Sequence, residues 1–236
     1  GEPLMWEFHW QEMKKLVDEG KAGNLYCRYN TNLSRIEWKG IHLFKDILPQ
    51  VKDYIMCCSV DATEEVGEWI RTGLQWDRWL ENFQTGLEVP GRRDRMKLDL
   101  TLTLPGLLDM KEYFMLSQRL DVEILSKLVY AFTPDKVISP LALPKQVLHP
   151  ILDDLLRFME PQATVKQKTL IDLLKDLKTR PTFQEQWPDG HRQGFEDGRA
   201  WMQQLAKWRG DGGPGKAVRL EDIYSKNSEV LRWWQS

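Results

Sequence analysis

Ser59 and Asp61 stand two residues apart at the end of an apolar run, so a strand there puts both on one face and Val60 on the other. A hydroxyl beside a carboxylate can hydrogen-bond a ribose or a carboxylate. Asn30-Thr31-Asn32 sets two amides and a hydroxyl at the end of an earlier strand, where they either cap the following helix or bind a ligand. Arg71, ten residues past Asp61, carries a fork of donors that matches a carboxylate, or else is one more solvated helix arginine. Gly1-Glu2-Pro3 reads either as an ordinary turn or as one whose carbonyls accept from an ammonium group. Thr103 closes a fourth segment, Thr101-Leu102-Thr103-Leu104-Pro105.

The elements that would hold these groups follow from periodicity. Trp6, Trp10, Met13, Leu16 and Val17 keep the 3.6-residue period of a helix over 6–19, ended by Gly20 or Gly23. Strands are predicted over 24–30, 54–60, 95–103 and 122–132. Tyr54 to Val60 is almost continuously apolar, as in a strand covered on both faces. Met96, Leu98, Leu100 and Leu102 alternate with Lys97, Asp99, Thr101 and Thr103, giving one apolar and one polar face. Helices are predicted over 42–51, over 64–87 with a break near Gly73, and over 107–120. Such alternation predicts an α/β fold with parallel strands and helical crossovers, whose C-terminal strand ends carry the active residues.

From about residue 133 the pattern changes. Pro134, Pro140, Pro144 and Pro150 lead into amphipathic helices near 146–159, 164–178 and 195–209, then a break at Asp211–Gly215 and a short helical segment in Leu220–Ser236. The division is therefore 1–135, an α/β part, and 136–236, a helical extension.

Composition excludes several classes. A net charge of -2 argues against a broad nucleic-acid footprint, and the basic clusters Lys166-Lys168 and Lys175-Lys178-Arg180 are interrupted by acids. No apolar run reaches membrane-spanning length. Cys27, Cys57 and Cys58 are too few for a disulfide framework and suit a reducing, cytoplasmic setting. Cys57 and Cys58 point to opposite faces of a strand, so they cannot serve one metal together without a bulge. No His-Glu-x-x-His or P-loop occurs, and His9, His42, His149 and His191 are scattered. Of the eleven tryptophans, pairs such as Trp76 and Trp79 lie at helical spacing and read as packing.

In order, Gly1-Glu2-Pro3, Asn30-Thr31-Asn32, Ser59-Val60-Asp61 and Arg71 resemble the strand-end motifs of the radical S-adenosylmethionine (SAM) enzymes. Ile138-Ser139-Pro140-Leu141-Ala142-Leu143-Pro144 resembles the stretch that follows the barrel in members with a short "twitch" extension. The resemblance implies a partial (β/α)6 parallel barrel lacking its first strand, strands two to six, followed by a twitch-like helical extension. It places SAM against Gly1, Glu2, Pro3, Asn30, Thr31, Asn32, Ser59, Asp61, Arg71 and Thr103, with Arg71 on its carboxylate. The asparagine that members often carry soon after Thr103 is absent.

By the same resemblance, a parent enzyme would use a [4Fe–4S] cluster and an external electron donor to cleave SAM to a 5'-deoxyadenosyl radical. That radical would abstract hydrogen from a substrate the sequence does not identify, a peptide being one family-level candidate. The Cys-x3-Cys-x2-Cys loop that holds the cluster is missing here, so this chain is expected to bind no cluster and to be inert alone. The alternative is a non-catalytic α/β interaction protein on a degenerate barrel of this type.

Overall fold

The computed structural model describes residues 1–129, 132–208 and 218–236. Helix α1, Glu7–Asp18, turns Trp10 and Met13 inward and ends where Gly20 takes φ +68°. Strand β1, Tyr26–Thr31, follows. A small hairpin comes next, β2 Glu37–Trp38 and β3 Ile41–His42. Its turn residues Lys39 and Gly40 both have positive φ, the type I′ arrangement that matches strand twist.

The helix predicted over 42–51 is replaced by a five-residue π turn, Leu43–Ile47, and a 3-10 turn, Leu48–Gln50. Asp46 accepts from the His42 amide at 2.7 Å, and Pro49 supplies no amide to continue a ladder. Strand β4, Asp53–Ser59, leads to α2, Glu64–Ile70, and α3, Trp76–Leu87. The break between the two helices falls at Gly73, at φ +88°.

Strand β5, Met96–Leu102, is followed by the short α4, Leu104–Leu107, then α5, Met110–Leu120, and β6, Glu123–Leu128. The later helices are α6 Lys145–Met159, α7 Lys168–Thr179, α8 Phe183–Gln186, α9 His191–Trp208, α10 Leu220–Tyr224 and α11 Ser228–Gln235. The predicted break at Asp211–Gly215, residue 209 of the predicted helix 195–209 and residues 130–131 of the predicted strand 122–132 lie outside the described residues.

The fold is α/β. Strands β1, β4, β5 and β6 form one fully parallel sheet in that order, so neighbours in the sheet follow sequence order with no reversal. In-register partners share a face. One face carries Tyr29, Met56 and Met96 in a row, then Thr31, Cys58, Leu98 and Ile124, all buried. The other carries Asn30, Cys57, Lys97 and Glu123, then Ser59, Asp99 and Leu125, and is largely polar.

A single apolar core joins the sheet to the helices on both sides of residue 135. Thr169 on α7 donates to the Ile124 carbonyl of β6, and Gln167 donates to Ser117 on α5 at 2.8 Å. Among the described residues no helix is long and apolar enough to cross a membrane.

At the N-terminal end of the sheet, Asp53 pairs with Arg95 and Arg92. The Arg95 hydrogen bond leads in holding its pKa down to about 2. That end is tied for stability; the polar strand ends lie at the opposite edge.

Candidate functional site

Parallel strands bring the C-terminal ends of β1, β4 and β5 to one side of the sheet. Glu2 closes this side next to β1. Its Oε1 accepts from Thr31 Oγ1 at 2.6 Å and from the Leu4 amide at 3.1 Å, and its Oε2 accepts from the Asn32 amide at 2.6 Å. Glu2 therefore fixes the chain before α1 onto the end of β1. Gly1 and Pro3 flank it, with Pro3 opening a 3-10 turn over Pro3–Met5. Thr31 also accepts from the Leu33 amide at 2.9 Å, and Leu33 is held at φ +53°. A buried leucine in the left-handed region is strained, and the adjoining Asn32 is exposed. Asn30 is exposed on the polar face, opposite Cys57.

Ser59 ends β4 on that same face, its Oγ 3.5 Å from Asp99 Oδ2, and Asp99 Oδ1 takes Lys127 Nζ at 2.7 Å. Asp61 is spent differently. It is only 5 % exposed, and its Oδ1 accepts from the Thr101 amide at 2.7 Å and from Arg71 Nη2 at 3.3 Å. Arg71 Nε lies 2.8 Å from Asp61 Oδ2. The carboxylate thus orients the guanidinium and stitches β4 to β5. Thr103 is buried and caps α4, accepting from the Gly106 amide at 3.2 Å. It serves the helix end, the capping use of a strand-end hydroxyl.

Arg71 lines a cleft of about 500 Å³ together with Met5, Asn32, Ser34, Arg78 and Trp79. Its lining holds two charged side chains, Arg71 and Arg78, and no carboxylate. Trp79, 1 % exposed, has no hydrogen-bond partner for its indole Nε1 among the described residues. The cleft therefore offers donors and positive charge at Arg71 and Arg78, and the group it suits there is an anionic one such as a carboxylate. Sequence reasoning missed Ser34, Arg78 and Trp79 as cleft residues. The one available signal was Arg78, close to Arg71 in sequence on the next helix.

Burial raises the pKa of Asp61, against the opposing pull of Arg71. A carboxyl whose folded pKa exceeds its unfolded value of about 3.9 holds more protons folded than unfolded in the interval between the two. Stability therefore falls as pH rises through that interval. Asp61→Asn is expected to flatten this segment, read as urea midpoints from about pH 4 upward. An unchanged slope would mean that another group carries it.

The cysteines do not form a metal site. Cys57 and Cys58 are buried on opposite faces of β4, Cys27 lies on β1, and burial raises the pKa of all three. Among the described residues, no three His, Cys, Asp or Glu side chains could hold a metal ion together. The basic clusters of α7 and its flanks are neutralised: Lys166 pairs with Asp121, Lys168 with Asp172, Lys175 with Glu160, Lys178 with Asp153 and Arg180 with Asp176.

Comparison with protein-family models, curated proteins and solved structures finds no match to this chain.

Proposed function

We propose that the cleft beside the strand ends, where Asn32 and Arg71 meet, binds SAM with Arg71 receiving its carboxylate, and that the sheet is a section of a (β/α)6 barrel of the radical SAM type. The observation that carries this reading is the orientation of Arg71. A buried Asp61 grips one edge of its guanidinium, while the residue also lines an acid-free cleft beside Asn32 and Ser34. The unreversed strand order supports the barrel, because a doubly wound sheet reverses its order at its ligand crevice. Cleft size falls within the range of small-molecule sites.

The [4Fe–4S] cluster that the family uses does not fit the cysteines present, since three thiolates must converge on it. No chemical step is assigned to this chain, and its part is to bind and orient SAM. The extension after residue 135, the peptide substrate and the external electron donor belong to the radical SAM activity that the resemblance implies. Anaerobic reconstitution is expected to leave well under one iron per chain by iron and sulfide analysis. About four irons would require a ligand set different from this one.

A second reading, a non-catalytic interaction protein on this fold, is favoured by how many polar groups are already paired. Glu2 accepts three donors, Asp61 holds Arg71 and the Thr101 amide, and Thr103 caps α4. Calorimetric titration with SAM separates the two. Saturable binding that is competed by methionine supports the SAM site. The absence of heat at about 1 mM SAM, a free energy near 4 kcal/mol, leaves the interaction protein.

A further inference from the structure

The segment after β4 is held at two points by residues that the SAM site does not use. Asp109, at the start of α5, has a carboxylate only 3 % exposed. Its Oδ2 accepts from the Thr63 amide at 2.7 Å and from Thr63 Oγ1 at 2.8 Å. Its Oδ1 lies 3.2 Å from Lys226 Nζ, in the connection between α10 and α11. One buried carboxylate thus joins Thr63, two residues past Asp61, to a lysine 117 residues further along the chain than itself.

A close approach and a backbone angle show how closely that segment is fitted. A Cβ on Gly106 would stand 2.7 Å from the Asp61 carbonyl oxygen, so α4 presses directly on the residue that orients Arg71. Glu64, next to Thr63, is held at φ +46°, a conformation a glutamate does not take by preference. α4 packs against both α2 and α10. A crevice lined by Thr63, Glu65, Asp109, Val218 and Lys226 separates the start of α2 from the C-terminal helices, so the tie between them there is polar.

We propose that Asp109 is a positioning residue for the Arg71 site, and that α10 and α11 act through Lys226 as a strap on the segment that carries Asp61. The effect on ligand rests on the reading that Arg71 receives an anion; the strap itself does not. A carboxylate buried to this degree needs its cation, because the neutral Thr63 donors alone leave its charge uncompensated. Removing Lys226 loosens the grip on Thr63. The Asp61–Arg71 pair then loses one of the supports that fix its geometry.

The test uses the full chain with Lys226→Met, Lys226→Arg and Asp109→Asn. Lys226 is half-exposed, so its variants are expected to fold even where Asp109→Asn does not. In Lys226→Met, amide hydrogen exchange in residues 61–72 is expected to speed up about tenfold while β4 and β5 keep their protection. SAM affinity, measured well below the melting temperature, is expected to fall about five- to tenfold. Lys226→Arg should restore both, which a purely packing role for the lysine stem would not require. Unchanged exchange in 61–72, or exchange raised evenly over the whole chain, overturns the strap. If the wild-type chain binds no SAM, the Arg71 reading fails while the exchange measurement still decides the strap. If SAM binds and its affinity is untouched by Lys226→Met, Asp109 is not a positioning residue.

Discussion

Gly106→Val is expected to cost about 3 kcal/mol and to lower the melting temperature by about 6–12 °C. Gly106 sits in α4 with no room for a side chain. Its Cβ would meet the Asp61 carbonyl at 2.7 Å and Thr103 Oγ1 at 3.1 Å. The first of these is backbone, which cannot swing aside as the tip of a flexible side chain can. The strand-end segment must move, and with it the hydrogen bond from the Thr101 amide to Asp61 that stitches β4 to β5. Gly86 provides the contrast. Its Cβ would meet the Met96 methyl at 2.5 Å and the Phe44 ring at 2.8 Å, contacts as tight but with side chains, of which the thioether can change rotamer. Gly86→Ala is therefore expected to cost less than Gly106→Val in the same denaturant titration. A Gly106→Val protein that melts with the wild type would show that the segment yields freely, and would also weaken the case that it is held in place by Asp109.

What could be read from the sequence was decided by short-range pattern. The alternation of Met96, Leu98, Leu100 and Leu102 placed β5 to within a residue at each end, and all four are fully buried. Trp76, Trp79 and Phe83 stack on one another within α3, the packing use that their spacing implied. The hairpin was not legible because Lys39 occupies a left-handed position that asparagine or glycine usually announces. Position 42–51 misled because apolar spacing alone does not register Asp46 reaching back to the His42 amide.

The site was legible in its residues and not in their partners. Asp61 and Arg71 were each read as ligand contacts, yet they bind one another, and the other donor to Asp61 is an amide 40 residues away on β5. Likewise, Glu2 meets Thr31 across 29 residues. Pairings at that separation depend on which strands are neighbours, and no local pattern carries that information. The same limit explains Arg78. On the helix after Arg71 it reads as a surface residue, and only the turn at Gly73 between α2 and α3 brings both arginines to one cleft.

Arg71→Lys is expected to weaken SAM binding by about one to two powers of ten. Lysine keeps the charge but has no fork, so it cannot donate to Asp61 as Nη2 does, stay ion-paired with it, and offer a further donor edge to a carboxylate at once. A hydrogen bond to a charged group contributes about 1.5–3 kcal/mol, and each 1.4 kcal/mol is tenfold in affinity. Arg78 shares the cleft and is more exposed, so Arg78→Lys is expected to cost less than about fivefold. It is a second member of the site and cannot serve as the neutral control. That role falls to Arg157 on α6, whose side chain is exposed and lies outside the cleft lining. Titration of the three variants beside the wild type, each checked for an unchanged melting temperature, gives the ranking. If Arg71→Lys binds SAM as tightly as Arg157→Lys, the guanidinium does no more than pair with Asp61. The cleft would then be a gap between α2 and α3 with no ligand to hold, and the interaction-protein reading would stand.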